Sequence, residues 1–213
     1  MSKVYVIGDF HFGHKNILKY RPQFKTIDEH DNYIIDNFNK VVKKRDTVYF
    51  MGDIFFTNEG FELMKRFNYC HKKVLVLGNH CFQHFKGSRN EAYEYFDEII
   101  SSVKKKGCWL THIPINEEEL RGAYNIHAHT HNHNLSDKRY YNTSCENIGF
   151  TPRDLMDIVQ ELKALNPIYE GERIKVQKER NEFYESHQSG DDPFILKSVN
   201  KTNFKENNYD KRK

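Results

Sequence analysis

The chain has 213 residues, enough for one domain with a core of its own and an appendage. Hydrophobic residues make up 38% and charged residues 30%, with a mean hydropathy of -0.84, which excludes an integral helical membrane protein, and the 14% aromatic content argues against wholesale disorder. The net charge is +3, but residues 197–213 carry six Lys or Arg and two Asp or Glu, so the rest of the chain sums to −1 and calls for no nucleic-acid face.

Met1-Ser2-Lys3 runs at once into Val4-Tyr5-Val6-Ile7, with no secretory pattern, so the expected location is cytoplasmic. Short apolar runs bounded by Gly or polar residues read as buried strands: Lys3 to Gly8, Thr47 to Met51, Lys73 to Leu77, Gly107 to Leu110, and Tyr124 to Ile126. Helical patterns alternate with them. Thr26-Ile27-Asp28-Glu29 has the form of a capping box, followed by Ile27, Ile34, Phe38 and Val41 near one face. Phe61, Met64 and Phe67 predict a second helix and Glu91 to Ile100 a third, with Lys104-Lys105-Lys106 a solvated turn. A fourth opens at Thr151-Pro152, with Thr151 as cap and Leu155, Ile158, Val159 and Leu162 as its apolar stripe, and stops at Asn166-Pro167. Alternating strands and helices predict an α/β domain over residues 1–165. Residues 166–213 read as a charged extension, helical in part or disordered, with Ser189 to Pro193 as a linker. The four cysteines, Cys70, Cys81, Cys108 and Cys145, form no C-x-x-C pair and are expected as reduced, partly buried thiols rather than disulfides or zinc ligands.

Each strand signal is followed by a residue able to hold a metal: Asp9-x-His11, Gly52-Asp53, Gly78-Asn79-His80, Thr111-His112, and the run His127, His129, His131, His133. In open α/β sheets the loops at that end of the strands converge. Asp and Asn supply hard oxygens and His a borderline nitrogen, a mixture that suits Mn²⁺, Fe, Zn²⁺ or Ni²⁺. There are too many such residues for one tetrahedral ion, and two ions sharing a carboxylate account for the surplus. The His127–His133 run leaves its own register open.

These motifs, in this order, resemble those of the calcineurin-like metallophosphoesterase superfamily over residues 3 to 150. Asp9 through Ile17, Arg21-Pro22 and Asp46 through Tyr49 resemble a subgroup of small bacterial and phage phosphoesterases. The resemblance implies a four-layer αββα sandwich of two mixed sheets flanked by helices. It implies two divalent ions, manganese foremost, with Fe, Ni or Zn as alternatives. Asp9, His11 and His131 would hold one ion and Asn79, His112 and His129 the other, with Asp53 between them; Asn132 after His131 selects the 129/131 pair. His80 would face the substrate and protonate the leaving oxygen, and His14, Asn16 and Arg21 would contact the substrate. Three positions depart from the usual pattern: Gly8 where Ser is common, Cys81 where Asp is common, and Ala128 where Gly is usual. The implied activity is phosphoester hydrolysis by a hydroxide bridging two ions, on a nucleotide or other small phosphodiester foremost. A nuclease, or a silent binding protein on the same fold, is the alternative. No membrane partner is expected, and nucleic acid is not required.

Overall fold

The computed structural model describes residues 2–82 and 89–187. In chain order these form β1 (Val4–Ile7), α1 (Ile27–Val41), β2 (Thr47–Phe50), α2 (Asn58–Glu62), β3 (Lys72–Val76), β4 (Glu98–Ile100), β5 (Ser102–Lys105), β6 (Cys108–Thr111), β7 (Tyr124–His127), β8 (Tyr140–Asn142), β9 (Arg153–Asp154), α3 (Leu155–Leu165) and α4 (Pro167–His187). The strands make two mixed sheets, in the orders β4-β3-β2-β1-β9 and β5-β6-β7-β8. In the first, β1 to β4 are parallel and β9 runs antiparallel to β1; in the second, only the β5–β6 pair is antiparallel. This is the expected α/β architecture of two mixed sheets flanked by helices.

Strict alternation builds two cores from the first sheet. Tyr5, Ile7, Val48, Phe50 and Leu75 face one way and pack with Ile34, Ile35 and Phe38 of α1. Val6, Tyr49, Met51, Val74 and Val76 face the other way and meet Cys108, Leu110, Tyr124 and Ile126 of the second sheet. The stripe Leu155, Ile158, Val159 and Leu162 joins this second core.

Local chemistry sets several element ends. Thr26 caps α1 by accepting the Glu29 N–H at 3.1 Å, while Glu29 reaches back to the N–H of Lys25 at 2.8 Å. Other expectations are corrected. Glu91 to Ile100 is not a helix: a 3-10 turn, Arg89–Glu94, gives way to β4, whose three residues pair in parallel with β3. Phe61 and Met64 fall on the short α2 and a following 3-10 turn, Leu63–Arg66, with Phe67 just beyond. Lys104 and Lys105 belong to β5, and the turn is at Lys106-Gly107. The cap of α3 is Asp154, which accepts the Met156 N–H at 2.9 Å, because Arg153 and Asp154 are drawn into pairing with β1.

A compact unit runs to Gly171 and a second begins at Glu172. The start of α4 belongs to the first: the Tyr169 hydroxyl donates to the Ala123 carbonyl at 2.9 Å, and the Tyr124 hydroxyl to Glu170 at 3.0 Å. Of the second unit, residues 172–187 are described and are helical. Ser189 to Pro193 lie outside the described residues. All four cysteines are free and buried. Among the described residues no helix is long and apolar enough to cross a membrane.

Candidate metal centre

The loops after β1, β2, β3, β6 and β7 carry the chemistry. Pairing between β1 and β2 continues past the strand ends: Asp9 N–H donates to the Gly52 carbonyl at 3.0 Å, His11 N–H to Asp53 at 2.9 Å, and Phe12 N–H to Ile54 at 3.0 Å. Within this ribbon Asp9, His11 and Asp53 take left-handed backbone angles (φ 57°, 54° and 51°), as do His129 and His131 after β7 (φ 70° and 47°). Each such residue costs about 1–3 kcal/mol, a strain that persists where surrounding structure imposes it and that collects at functional sites. Gly52 is also left-handed, at φ 90°, and a Cβ there would overlap the His112 ring.

Two clusters result. Asp9, His11 and His131 bring one ligand atom each to within 4.8 Å of one another, and Asp53, His112 and His129 do the same. The Asn79 side-chain oxygen lies 2.9 Å from His112 Nε2, beside the second cluster. The polar accounting fits a cation in each. Asp9 Oδ1 and both ring nitrogens of His11 are buried with no hydrogen-bond partner among the described residues. His112 Nδ1 donates to the Met51 carbonyl at 2.8 Å, so Nε2 presents its lone pair to the oxygens of Asn79 and, at 3.3 Å, Asp53. These three atoms facing one point are satisfied by a proton on Nε2 or by a cation among them. His131 Nδ1 likewise donates to Glu146 Oε1 at 3.0 Å and leaves Nε2 for the first cluster.

The electrostatics respond to this crowding. Burial pushes the Asp9 carboxyl up and holds His11 well below the usual imidazole range. For His112, burial is outweighed by its hydrogen bond to Asp53 and the charges of Asp9 and Asp53, which raise it. Burial also opposes the Asp53 charge, but the hydrogen bond and charge of His112 and the His80 N–H leave its carboxyl below the ordinary range. Glu146 is buried, yet the His131 hydrogen bond and the Arg21 charge pull it down to about 2.

His80 donates its backbone N–H to Asp53 Oδ1 at 2.8 Å, and its ring is 6.0 Å from that of His11 and 5.6 Å from Phe56. His14 stacks on Phe56 with ring centres 3.9 Å apart, and together with Asn16 they line a cleft of about 650 Å³. Arg21 corrects an expectation: it is fully buried, and its donors are directed to the carbonyls of Asp9 and Phe10, to Glu146 and to His30, so it does not face a substrate. Glu146 and the buried pair His30–Asp31 were not singled out by the sequence, since nothing local distinguishes them from surface polar residues. Cys81 has a defined task. Its sulfur accepts the N–H groups of Asp53 at 3.3 Å and Gly78 at 3.1 Å, and burial, then the Asp53 charge, pushes its thiol up to about 11.

Two departures from the usual motif pattern compensate each other. Ala128 is not among the left-handed residues, so its methyl group costs no backbone strain. That methyl occupies the space a side chain at position 8 would need: a Cβ on Gly8 would stand 2.7 Å from Ala128 Cβ.

The chain is similar to several known proteins. The chain is 31% identical over 176 residues to the uncharacterized protein MJ1445 of Methanocaldococcus jannaschii, covering 75% of this chain and 91% of that protein. A segment of 54 residues is 37% identical to the Gene 66 protein of Mycobacterium phage L5, covering 25% of this chain and 26% of the phage protein. The crystal structure of AQ665 from Aquifex aeolicus, a protein of unknown function, superposes with a TM-score of 0.58 at 28% identity, covering 75% of this chain and 99% of that one. The sequence profile of the calcineurin-like phosphoesterases matches residues 2–207, and the chain belongs to that family.

Proposed function

We propose that the protein is a two-metal phosphodiesterase acting on a nucleotide or another small phosphoester. The observation that carries this reading is the pair of clusters, in the first of which Asp9 Oδ1 and both ring nitrogens of His11 are buried without a hydrogen-bond partner among the described residues. Two divalent ions, manganese foremost for this nitrogen- and oxygen-donor set, would polarise the phosphoryl group and acidify a water.

The chain's own residues divide the remaining work. Asp9, His11 and His131 would hold one ion and Asn79, His112 and His129 the other, with Asp53, which clusters with His112 and His129, the carboxylate that would serve both. Hydrogen bonds from the far side of the rings fix two of the histidines, His112 through Met51 and His131 through Glu146, so their Nε2 atoms stay aimed inward. His80, tied by its backbone to Asp53, donates a proton to the departing oxygen. His14 and Asn16, on the cleft beside the first cluster, receive the leaving group. The near-neutral body favours a small substrate over a long polyanion.

The test is a metal-by-substrate matrix. Protein stripped by chelation and reloaded with Mn²⁺, Ni²⁺, Zn²⁺ or Mg²⁺ is assayed on chromogenic mono- and diesters, cyclic and linear nucleotides, and RNA. Metal-dependent turnover with diesters ahead of monoesters is expected. Full turnover by stripped protein would overturn the two-metal reading, and a monoester preference would overturn the diesterase assignment.

A further inference from the structure

The clusters are supported differently. In the second, His112 leans on the Met51 carbonyl and Asp53 on the His80 N–H, both backbone groups. In the first, backbone bonds of Asp9 and His11 to the loop after β2 and the His129 N–H donated to Asp9 Oδ2 at 2.7 Å are joined by one buried guanidinium. Arg21 Nη2 donates to the Asp9 carbonyl at 2.6 Å and Nη1 to the Phe10 carbonyl at 3.1 Å. These carbonyls lie within the stretch in which Asp9 and His11 are both left-handed. Arg21 Nε donates to Glu146 Oε1 at 2.8 Å, and the same oxygen accepts His131 Nδ1–H at 3.0 Å. Behind them, Nη1 also meets His30 Nε2 at 2.6 Å, and the other His30 nitrogen bonds Asp31 at 2.7 Å. Asp31 in turn accepts the Gly13 N–H at 3.0 Å, just past His11.

We propose that Arg21 is the positioning residue that assembles the first cluster, reaching Asp9 and His11 through their backbone and His131 through Glu146. The loop after β1, helix α1 that follows it, and the turn at Cys145–Ile148, more than a hundred residues on, meet at this one side chain. The planar fork is what allows it: a lysine is a point charge and cannot hold two carbonyls and a carboxylate in fixed directions. Backbone bonds of Gly8 with Thr143 and Cys145, and the His129 N–H donated to Asp9 Oδ2 at 2.7 Å, also join these segments; the fork adds the side-chain link that sets Glu146, and through it the His131 ring, against the Asp9–Phe10 backbone. The second cluster makes no contact with Arg21 in the described hydrogen bonds and keeps its own supports. The inference rests on the two-ion reading above and makes the ions unequal in their dependence on this network.

The experiment loads metal-free protein with Mn²⁺ and reads stoichiometry and affinity by calorimetry, and ion pairing by electron paramagnetic resonance. The wild type is expected to take up two ions with an exchange-coupled spectrum. Arg21→Lys and Glu146→Gln should each bind one Mn²⁺ with near wild-type affinity and the other about 10–100-fold more weakly, the usual effect of losing a group that orients a ligand. Their spectrum at one equivalent should be the six lines of an isolated ion. Because a lone buried charge can unfold a protein, the double variant Arg21→Met/Glu146→Gln removes both charges together, and thermal melts establish which variants fold. Folded variants that bind both ions as the wild type does, or that weaken both equally, overturn the positioning role. So does failure of all three to fold, which would assign the network to stability. A wild type that takes up no Mn²⁺ overturns the two-ion reading and this inference with it, and is told apart by the wild-type titration alone.

Discussion

The packing between Gly8 and Ala128 yields a prediction that is independent of any metal. In Gly8→Ala the new Cβ would lie 2.7 Å from Ala128 Cβ, 3.0 Å from Met51 Cβ and 3.1 Å from the Met51 carbonyl oxygen. Carbon atoms in contact normally sit about 3.5–4.0 Å apart, so the overlap approaches an ångström, and none of these three atoms can rotate away. Overpacking of this kind costs about 1–3 kcal/mol, and the rigid surroundings place Gly8→Ala at the upper end. Ala128→Gly alone loses a buried methyl, about 0.8 kcal/mol, and gains backbone freedom in the unfolded chain, about 0.5–1 kcal/mol more. If the methyl–methyl overlap dominates, the double variant is destabilised by less than the sum of the singles, with a coupling of about 1–2 kcal/mol. The Met51 contacts keep the compensation from being complete. Urea denaturation of metal-free protein at 25 °C, with unchanged m-values, measures all four corners of the cycle. Additivity within about 0.5 kcal/mol would refute the reasoning and show that Met51 or the backbone, not Ala128, limits position 8.

Asp53→Asn should be the most damaging single change among the ligand-type residues, because its carboxylate lies in one cluster and its Oδ1 anchors the loop that carries Asn79 and His80; turnover should fall below that of any other single ligand variant and Mn²⁺ uptake should drop, as read by steady-state assay and elemental analysis. His80→Ala should retain both ions yet lose about 10²–10⁴-fold on an alkyl or ribose-oxygen leaving group, with a much smaller loss on p-nitrophenolate, which departs unaided. Equal losses on the two substrates would reassign His80 to the phosphoryl oxygens, and loss of metal would put it among the ligands. Deleting residues 188–213 should leave the melting temperature and small-substrate turnover nearly unchanged, since the Tyr169 and Glu170 anchors of α4 stay in place; a large drop in melting temperature would refute this.

Much of this protein is legible in its sequence, for a physical reason. Strands buried on both faces must be continuous apolar runs, and a parallel strand has to end in a loop on a common edge, so β1, β2, β3, β6 and β7 and the residues following them can be read from residue type alone. Stripes at helical spacing likewise reveal α1 and α3. Other features belong to no local pattern. Glu98-Ile99-Ile100 is a strand only because β3 offers it a parallel edge, and Arg153-Asp154 only because β1 has a free side. Asp9, His11 and Asp53 are left-handed within the ribbon of loop hydrogen bonds that holds them, which no propensity predicts. Arg21 shows the division most clearly. An arginine close in sequence to a metal motif has the right chemistry to grip a phosphate, and equally to hold two carbonyls and a carboxylate. The choice is made by burial and by the arrival of Glu146 from a position 125 residues away. Sequence therefore determined which chemical groups the strand ends present. The tertiary structure decided which of them face one another and which stand behind as supports, because direction and burial arise only when distant segments pack.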